Sequence, residues 1–217
     1  VERRWSDLNE TSSDIGVDYA GTLDWGSSNT STVLLGAMWS DKERTVDLYR
    51  FGIRQGDARN ISLIPIDGVD QLLAVESFAA DYFRLRPSTT PTDSYVSTEE
   101  LFAYYAALRS DFGSDWSVEV GGRFESFTQS LFYPNDVVAS DFGAGLESEG
   151  WYPALNVSWR ASESIQIRLG YSDTVSYPGL VERSRSASFD PITDDPIFGN
   201  PNLVTSDISN IDLRMEY

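Results

Sequence analysis

The chain contains no histidine and no cysteine in 217 residues. The first absence excludes a Ser-His-Asp triad, a Cys-His pair, a Ser-His dyad and every histidine metal site. The second excludes disulfides, zinc-thiolate centres and thiol nucleophiles. Basic residues are few, 16 against 34 acidic, and only one of them, Lys42, is a lysine. A formal charge of −18 excludes nucleic acid as the expected partner, since phosphates need a basic face. Long apolar runs are also missing. The longest clean one, Val33 to Trp39, has seven residues, far short of the ~20 that a membrane-spanning helix needs. No signal peptide is visible and the chain starts at Val1, which reads as a mature or truncated piece of something exported.

What is present is aromatic. Phe, Trp and Tyr supply 13% of the residues, too many for a disordered acidic chain. They sit within strict alternation. From Asp14 to Trp25, Ile15, Val17, Tyr19, Leu23 and Trp25 oppose Asp14, Asp18, Thr22 and Asp24. The same period of two recurs around Trp116–Glu125, Ala154–Arg160, Ile165–Ser172 and Asn210–Tyr217. Over these five segments the apolar face has 22 positions and no charge, whereas 11 of 23 positions on the polar face are charged. Period two marks strands with two unlike faces. Strands of soluble sandwiches usually run about 5–6 residues, whereas about 9–11 are needed to cross a bilayer at a tilt.

The pattern predicts strands over about 14–25, 32–50, 98–112, 116–128, 151–160, 164–175 and 206–217. Residues 98–112 are ambiguous on pattern alone. Ser97-Thr98-Glu99-Glu100 has the form of a helix capping box, while Phe102, Tyr104, Ala106, Leu108 and Phe112 fit a strand face. Short turns at 26–31, 113–115 and 161–164 alternate with long polar stretches at about 51–97, 129–150 and 176–205. Trp25, Phe112, Trp116 and Trp159 bracket the short turns, as an aromatic girdle would. The expected fold is therefore all-β: an antiparallel up-and-down transmembrane β-barrel segment, with short periplasmic turns and long outer loops. The competing reading is a soluble secreted β-sandwich or small barrel that binds a ligand.

Several runs then resemble one family, the TonB-dependent outer-membrane receptors. They are Gly121-Gly122-Arg123-Phe124-Glu125, Tyr152-Pro153-Ala154-Leu155-Asn156-Val157, and Leu169-Gly170-Tyr171-Ser172-Asp173-Thr174 with Pro178 after it. Gly199-Asn200-Pro201-Asn202-Leu203 and Asn210-Ile211-Asp212-Leu213 complete the series. They stand in the family's order from about residue 98 onward. Tyr177 replaces the usual arginine before proline, and Val204-Thr205 replaces Lys-Pro. The resemblance favours strand for 98–112. It implies a 22-stranded barrel around a plug, in the outer membrane of a Gram-negative bacterium. It also implies uptake of a scarce nutrient, such as a ferric siderophore, cobalamin or oligosaccharide, energised by TonB acting on the plug.

On this reading residues 1–217 are a partial, mid-barrel domain with no plug and no TonB-binding segment, because seven antiparallel strands cannot close on themselves. The expected partners are outer-membrane lipid, the receptor's own plug and remaining strands, TonB through that plug, and a small nutrient. Neither enzymatic activity nor a cofactor is expected. Alternation assigns Glu119, Arg123, Glu125, Arg160, Arg168, Asp212, Arg214 and Glu216 to the lumen wall, where arginines can pair with carboxylates. Each of them singly reads as a solvated charge. Gly199, Asn200 and Pro201 form an outer-loop motif that reads as a turn more than a binding loop. Asp190, Thr193, Asp194 and Asp195 offer oxygens to calcium but lack the EF-hand spacing. Phe78, Tyr82, Phe83, Phe132, Tyr133, Trp151 and Tyr152 are expected on outer loops, where they could stack on rings of a nutrient.

Overall fold

The computed structural model describes residues 2–26, 28–56, 81–136, 145–193 and 195–217. Seven long strands form one sheet: β1 (Glu2–Asp24), β2 (Asn29–Gln55), β4 (Tyr95–Phe112), β5 (Trp116–Phe132), β6 (Leu146–Ser162), β7 (Ile165–Ser176) and β10 (Ser206–Glu216). The short β3 (Phe83–Pro87) pairs with β2 beyond the reach of β4. A 3-10 turn (Pro91–Asp93), the one-turn helix α1 (Leu180–Arg183) and the small hairpin β8 (Ala187–Phe189)–β9 (Pro196–Phe198) complete the set. Sheet order is β1-β2-β4-β5-β6-β7-β10 and every pairing is antiparallel. This is an up-and-down meander without a Greek-key crossover. No helix among the described residues is long and apolar enough to cross a membrane.

All seven expected strands are present, and the ambiguous 98–112 is strand. The strands are longer than the alternation shows. β1 begins at Glu2, because residues 2–13 carry polar groups on both faces and hide their period while pairing fully with 41–52 of β2. The short turns need glycine where the chain reverses. Gly26 and Gly113 adopt φ of +78° and +60°, a region open to glycine.

Register decides which side chains share a face, since directly opposed residues point the same way. The row Gly21–Val33–Leu108–Val120–Leu155–Tyr171–Ile211 crosses the whole sheet. So does the row beside it, Leu23–Ser31–Ser110–Val118–Val157–Leu169–Leu213. These rows form a continuous apolar band. Its turn-end border is Trp25, Phe112, Trp116 and Trp159, with the two stacked tryptophans 5.3 Å apart. At its other border lie Trp39, Phe102, Tyr104, Phe124 and Trp151, in ring contact at 5.2–6.0 Å where Phe102, Tyr104, Phe124 and Trp151 meet. Ten residues separate Phe102 from Phe112. At about 3.3 Å per residue and a tilt of about 40°, the band is ~25 Å tall, the hydrocarbon dimension of an outer-membrane barrel.

The band is bare. Ile15 is 68% exposed, Val120 51% and Leu213 73%. Among the described residues no second sheet covers it, which removes the sandwich reading. The buried cluster lies instead on the opposite face, at the loop end, where Tyr95, Leu131 and Tyr133 pack with Val46.

Adjacent glycines of β5 behave differently. A Cβ on Gly121 would meet the Ala107 Cβ at 2.6 Å and the Ala106 carbonyl at 2.7 Å, while one on Gly122 meets nothing closer than 3.8 Å. Gly121→Ala should therefore force β4 and β5 apart at a cost of about 1–3 kcal/mol, with Gly122→Ala within about 0.5 kcal/mol of wild type. Denaturant unfolding of the intact protein checks this. Equal effects at the two positions would contradict the close strand contact.

Candidate functional site

The face opposite the band carries the chemistry. The eight charged residues singled out from sequence all lie on it, because each occupies the alternate position to a band residue. Glu119 aligns through Asn156 and Gly170 with Asp212. Ser117 aligns through Ser158 with Arg168 and Arg214. Together with Arg109 and Asp111, Glu119, Arg168, Asp212 and Arg214 line a cavity of about 830 Å³ at the turn end. Arg160 and Glu216 line a separate cavity of about 590 Å³ at the turn-end margin. Arg123 and Glu125 stand nearer the loop end. The structure thus gathers four of the eight around one cavity and leaves the others apart.

The arginines do pair with carboxylates. Arg109 Nε donates to Glu119 Oε2 at 2.8 Å across the β4–β5 ladder. Arg214 Nε lies 2.8 Å from Glu216 Oε1, and Arg168 reaches the same carboxylate at 3.9 Å. Arg123 Nε donates to Glu125, and its Nη2 contacts the Met38 sulfur at 3.1 Å. Glu125 accepts a second bond, 2.8 Å, from the Tyr177 hydroxyl. Burial, followed by this bond to a carboxylate, holds the Tyr177 hydroxyl protonated well above the ordinary tyrosine range. Tyr177 also stacks on Phe127 at 4.0 Å between centroids.

Gly199, Asn200 and Pro201 form a turn that clamps α1. The Gly199 amide donates to the Ser184 carbonyl at 2.9 Å, and the Asn200 amide to that of Glu182 at 2.7 Å. A Cβ on Gly199 would run into the carbonyl oxygens of Val181, Glu182 and Ser184, so the motif needs glycine for close packing. Of the calcium candidates, Asp194 lies outside the described residues. The Asp190 carboxylate instead caps its own turn, accepting from the amides of Ile192 at 2.7 Å and Thr193 at 2.9 Å. No group of three or more acidic side chains converges as a metal site among the described residues.

The aromatic set expected on outer loops is dispersed. Phe78 lies outside the described residues. Trp151 is on the apolar band, Tyr152 on the polar face, Tyr133 is buried, and Phe83 and Phe132 end strands. Long strands project these side chains to alternate faces, which a loop would not. Sequence reading also missed three polar residues that hold the loop end together. Arg183 and Asp93 are 2% and 1% exposed, and Gln129 is fully buried. Arg50 grips Asp93 bidentately, Nε to Oδ2 at 2.8 Å and Nη2 to Oδ1 at 3.1 Å. The one available signal was Tyr177-Pro178, the departure from the resembled pattern, which opens this region.

A seven-stranded antiparallel meander, with an aromatic-bordered apolar band on one face and charge on the other, is a segment of an outer-membrane-type β-barrel wall. The chain belongs to the TonB dependent receptor-like β-barrel family, whose model matches residues 2–217. That family is one of outer-membrane nutrient receptors, not of enzymes. Two solved structures share the fold. The ferric citrate transporter FecA in its unliganded form is 18% identical, with 80% of this chain and 22% of that one covered and a TM-score of 0.53. The siderophore receptor PiuA from Acinetobacter baumannii is 13% identical, with 96% and 29% covered and a TM-score of 0.56. The chain therefore spans under a third of either. No curated protein matches the chain in sequence.

The Asp190 turn has a definite pH signature. Hydrogen bonds from the Thr193 and Ile192 amides hold its carboxyl below the usual aspartate range. A depressed folded value means that the turn keeps its full contribution above ~3.9, the free aspartate value, and loses it as pH falls through the lower folded one. Protection of the Ile192 and Thr193 amides, measured as exchange relative to the free-peptide rate at each pH, should thus persist from neutral pH to about 4 and fall only below. Loss of protection near pH 5 would contradict the assignment.

Proposed function

We propose that this chain forms part of the wall of a TonB-dependent receptor that imports a scarce nutrient across the outer membrane of a Gram-negative bacterium. The single observation that carries the reading is the apolar band, ~25 Å tall and bordered by aromatics along both margins. In water such a face would be a large exposed apolar patch, and in lipid it is solvated. The opposite face then lines the lumen. Glu119, Arg123, Glu125, Arg160, Arg168, Asp212, Arg214 and Glu216 are its charged wall and meet water, the receptor's plug and the passing solute. TonB acts through the plug, and these strands contribute wall and loops rather than energy coupling. A ferric siderophore, cobalamin or an oligosaccharide is the class of cargo proposed.

The lipid face can be tested energetically. Val120 lies mid-band, and its strand neighbour Glu119 points the other way. In the intact receptor, Val120→Arg should cost roughly 2–4 kcal/mol, the price of a charge near the bilayer midplane. Glu119→Gln loses an exposed ion pair with Arg109, worth about 0–1 kcal/mol. Reversible unfolding in lipid bilayers measures both. If Val120→Arg costs no more than Glu119→Gln, the band does not meet lipid and the reading falls.

A further inference from the structure

After β7 the chain does not rise away from the sheet. Residues 177–189 run back across the polar face, and their contacts follow in sequence order. Tyr177 stacks on Phe127 of β5. The Arg185 amide donates to the Tyr133 hydroxyl at 2.7 Å, just past the end of β5. The Ser186 hydroxyl donates to the Asp93 carbonyl at 3.1 Å, before β4. The Phe189 ring lies 3.3 Å from the Arg4 guanidinium of β1. The segment therefore crosses from β5 to β1 over the loop-end half of the wall.

Arg183 stands at its centre. Its guanidinium donates to three separate parts of the chain: the Gln129 side-chain oxygen on β5 at 2.5 Å, the Gly145 carbonyl at the start of β6, and the Pro201 carbonyl of the clamping turn, both at 3.2 Å. A buried cation is tolerated only while it is hydrogen-bonded, so these bonds form or break together. Gln129 suits its place because its amide faces both ways. Its oxygen accepts from Arg183, while its nitrogen donates to Glu99 at 2.8 Å and to the Pro178 carbonyl at 3.1 Å. Glu99 in turn holds Lys42 at 3.0 Å. A carboxylate at 129 would repel Glu99, and an ammonium would repel Arg183. Under this network Ser97, Gln129 and Leu131 are at most 1% exposed.

We propose that Arg183 is the positioning residue that locks residues 177–189 as a strap across the inner wall, closing β4 and β5 beneath it to any entering solute. Solute is thereby kept off the loop-end half of β4 and β5. The inference rests on the reading that the polar face lines a passage. It differs from a flexible outer loop, because the bonds that hold the strap come from the chain itself.

The test uses a thiol probe. The chain has no cysteine, so Ser97→Cys places one thiol on the covered wall. The purified intact receptor, in a background without other exposed thiols, is treated with a bulky maleimide. With Arg183 present the thiol should react slowly. Adding Arg183→Met should raise the rate at least about tenfold, and Arg183→Lys, which keeps the charge without the forked geometry, should recover part of the protection. Heat-shifted gel mobility of the same samples reports barrel assembly. If Arg183→Met does not assemble, Gln129→Met, which removes the wall-side acceptor, is scored in the same way. An assembled variant whose thiol stays protected overturns the lock, and so does a thiol that reacts fast with Arg183 in place. Recovery of the receptor in outer-membrane fractions is scored separately. Its failure would remove the membrane reading without changing the reactivity ratio.

Discussion

Everything in this wall depends on the register of its strands. Six antiparallel ladders join seven strands, and the one shift, between Arg160 and Ser162, falls beyond the Trp159 border. Side chains alternate with a period of two, so a slip of one residue exchanges the faces of a strand. Slipping β5 by one would send Glu119, Arg123 and Glu125 into the band and turn Val118 and Val120 to the polar side. At ~2–4 kcal/mol for a basic charge in mid-band, somewhat less for an acidic one, the cost exceeds any gain from altered cross-strand pairs, which are worth roughly 0.2–1 kcal/mol each.

Two kinds of stabilisation divide the molecule. In the band, side chains make few contacts with the rest of the chain, and on the proposed reading lipid supplies what a core would. At the loop end the strands extend beyond the aromatic margin, and the wall must be held by its own packing. There the connections fold inward. Leu180, Ala187 and Tyr133 supply apolar burial, and Asp93 with Arg50 pins the 3-10 turn before β4. The buried polar groups at this end are costly alone and favourable as a network, since each partner satisfies the next.

Alternation made the band legible. Ile15, Val17, Val118, Val120, Leu169 and Leu213 carry it in sequence without reference to pairing. The second aromatic margin was not legible, because Trp39, Phe102, Phe124 and Trp151 belong to four strands whose alignment only the ladders reveal. β1 from Glu2 was hidden for another reason. Beyond the band both faces of a strand are polar, so period two disappears although the hydrogen bonding continues. The strap was invisible because Arg183 and Gln129 are ordinary polar residues in sequence. Their roles arise from contacts 54 positions apart. The charged residues fall on the face opposite the band by the same alternation, but which of them share a cavity depends on neighbours three strands away.

Alternation alone leaves one ambiguity, since a slip of two residues preserves both faces. Charge removes it. Just beyond the aromatic margin the row Ser13–Asp41–Glu100–Thr128–Glu147 carries three acids and no base, and Lys42 and Arg44 point to the other face. Those cations pair on the inner face, Lys42 with Glu99 and Arg44 with Glu10, and not with the outward acids. If β4 slid by two toward the turn end, Glu100 would occupy the level of Phe102, facing lipid, and Phe112 would leave its edge-on contact with Trp25 at 5.7 Å. A slide the other way would lift Phe102 among the acids and draw Phe112 up from the turn-end border to the level of Ser110. Either shift moves a charge or an aromatic ring across the interface. The acid excess that excluded nucleic acid at the outset thus has a structural role on this reading. It sets the height of β2, β4 and β6 in the wall, as alternation sets their face.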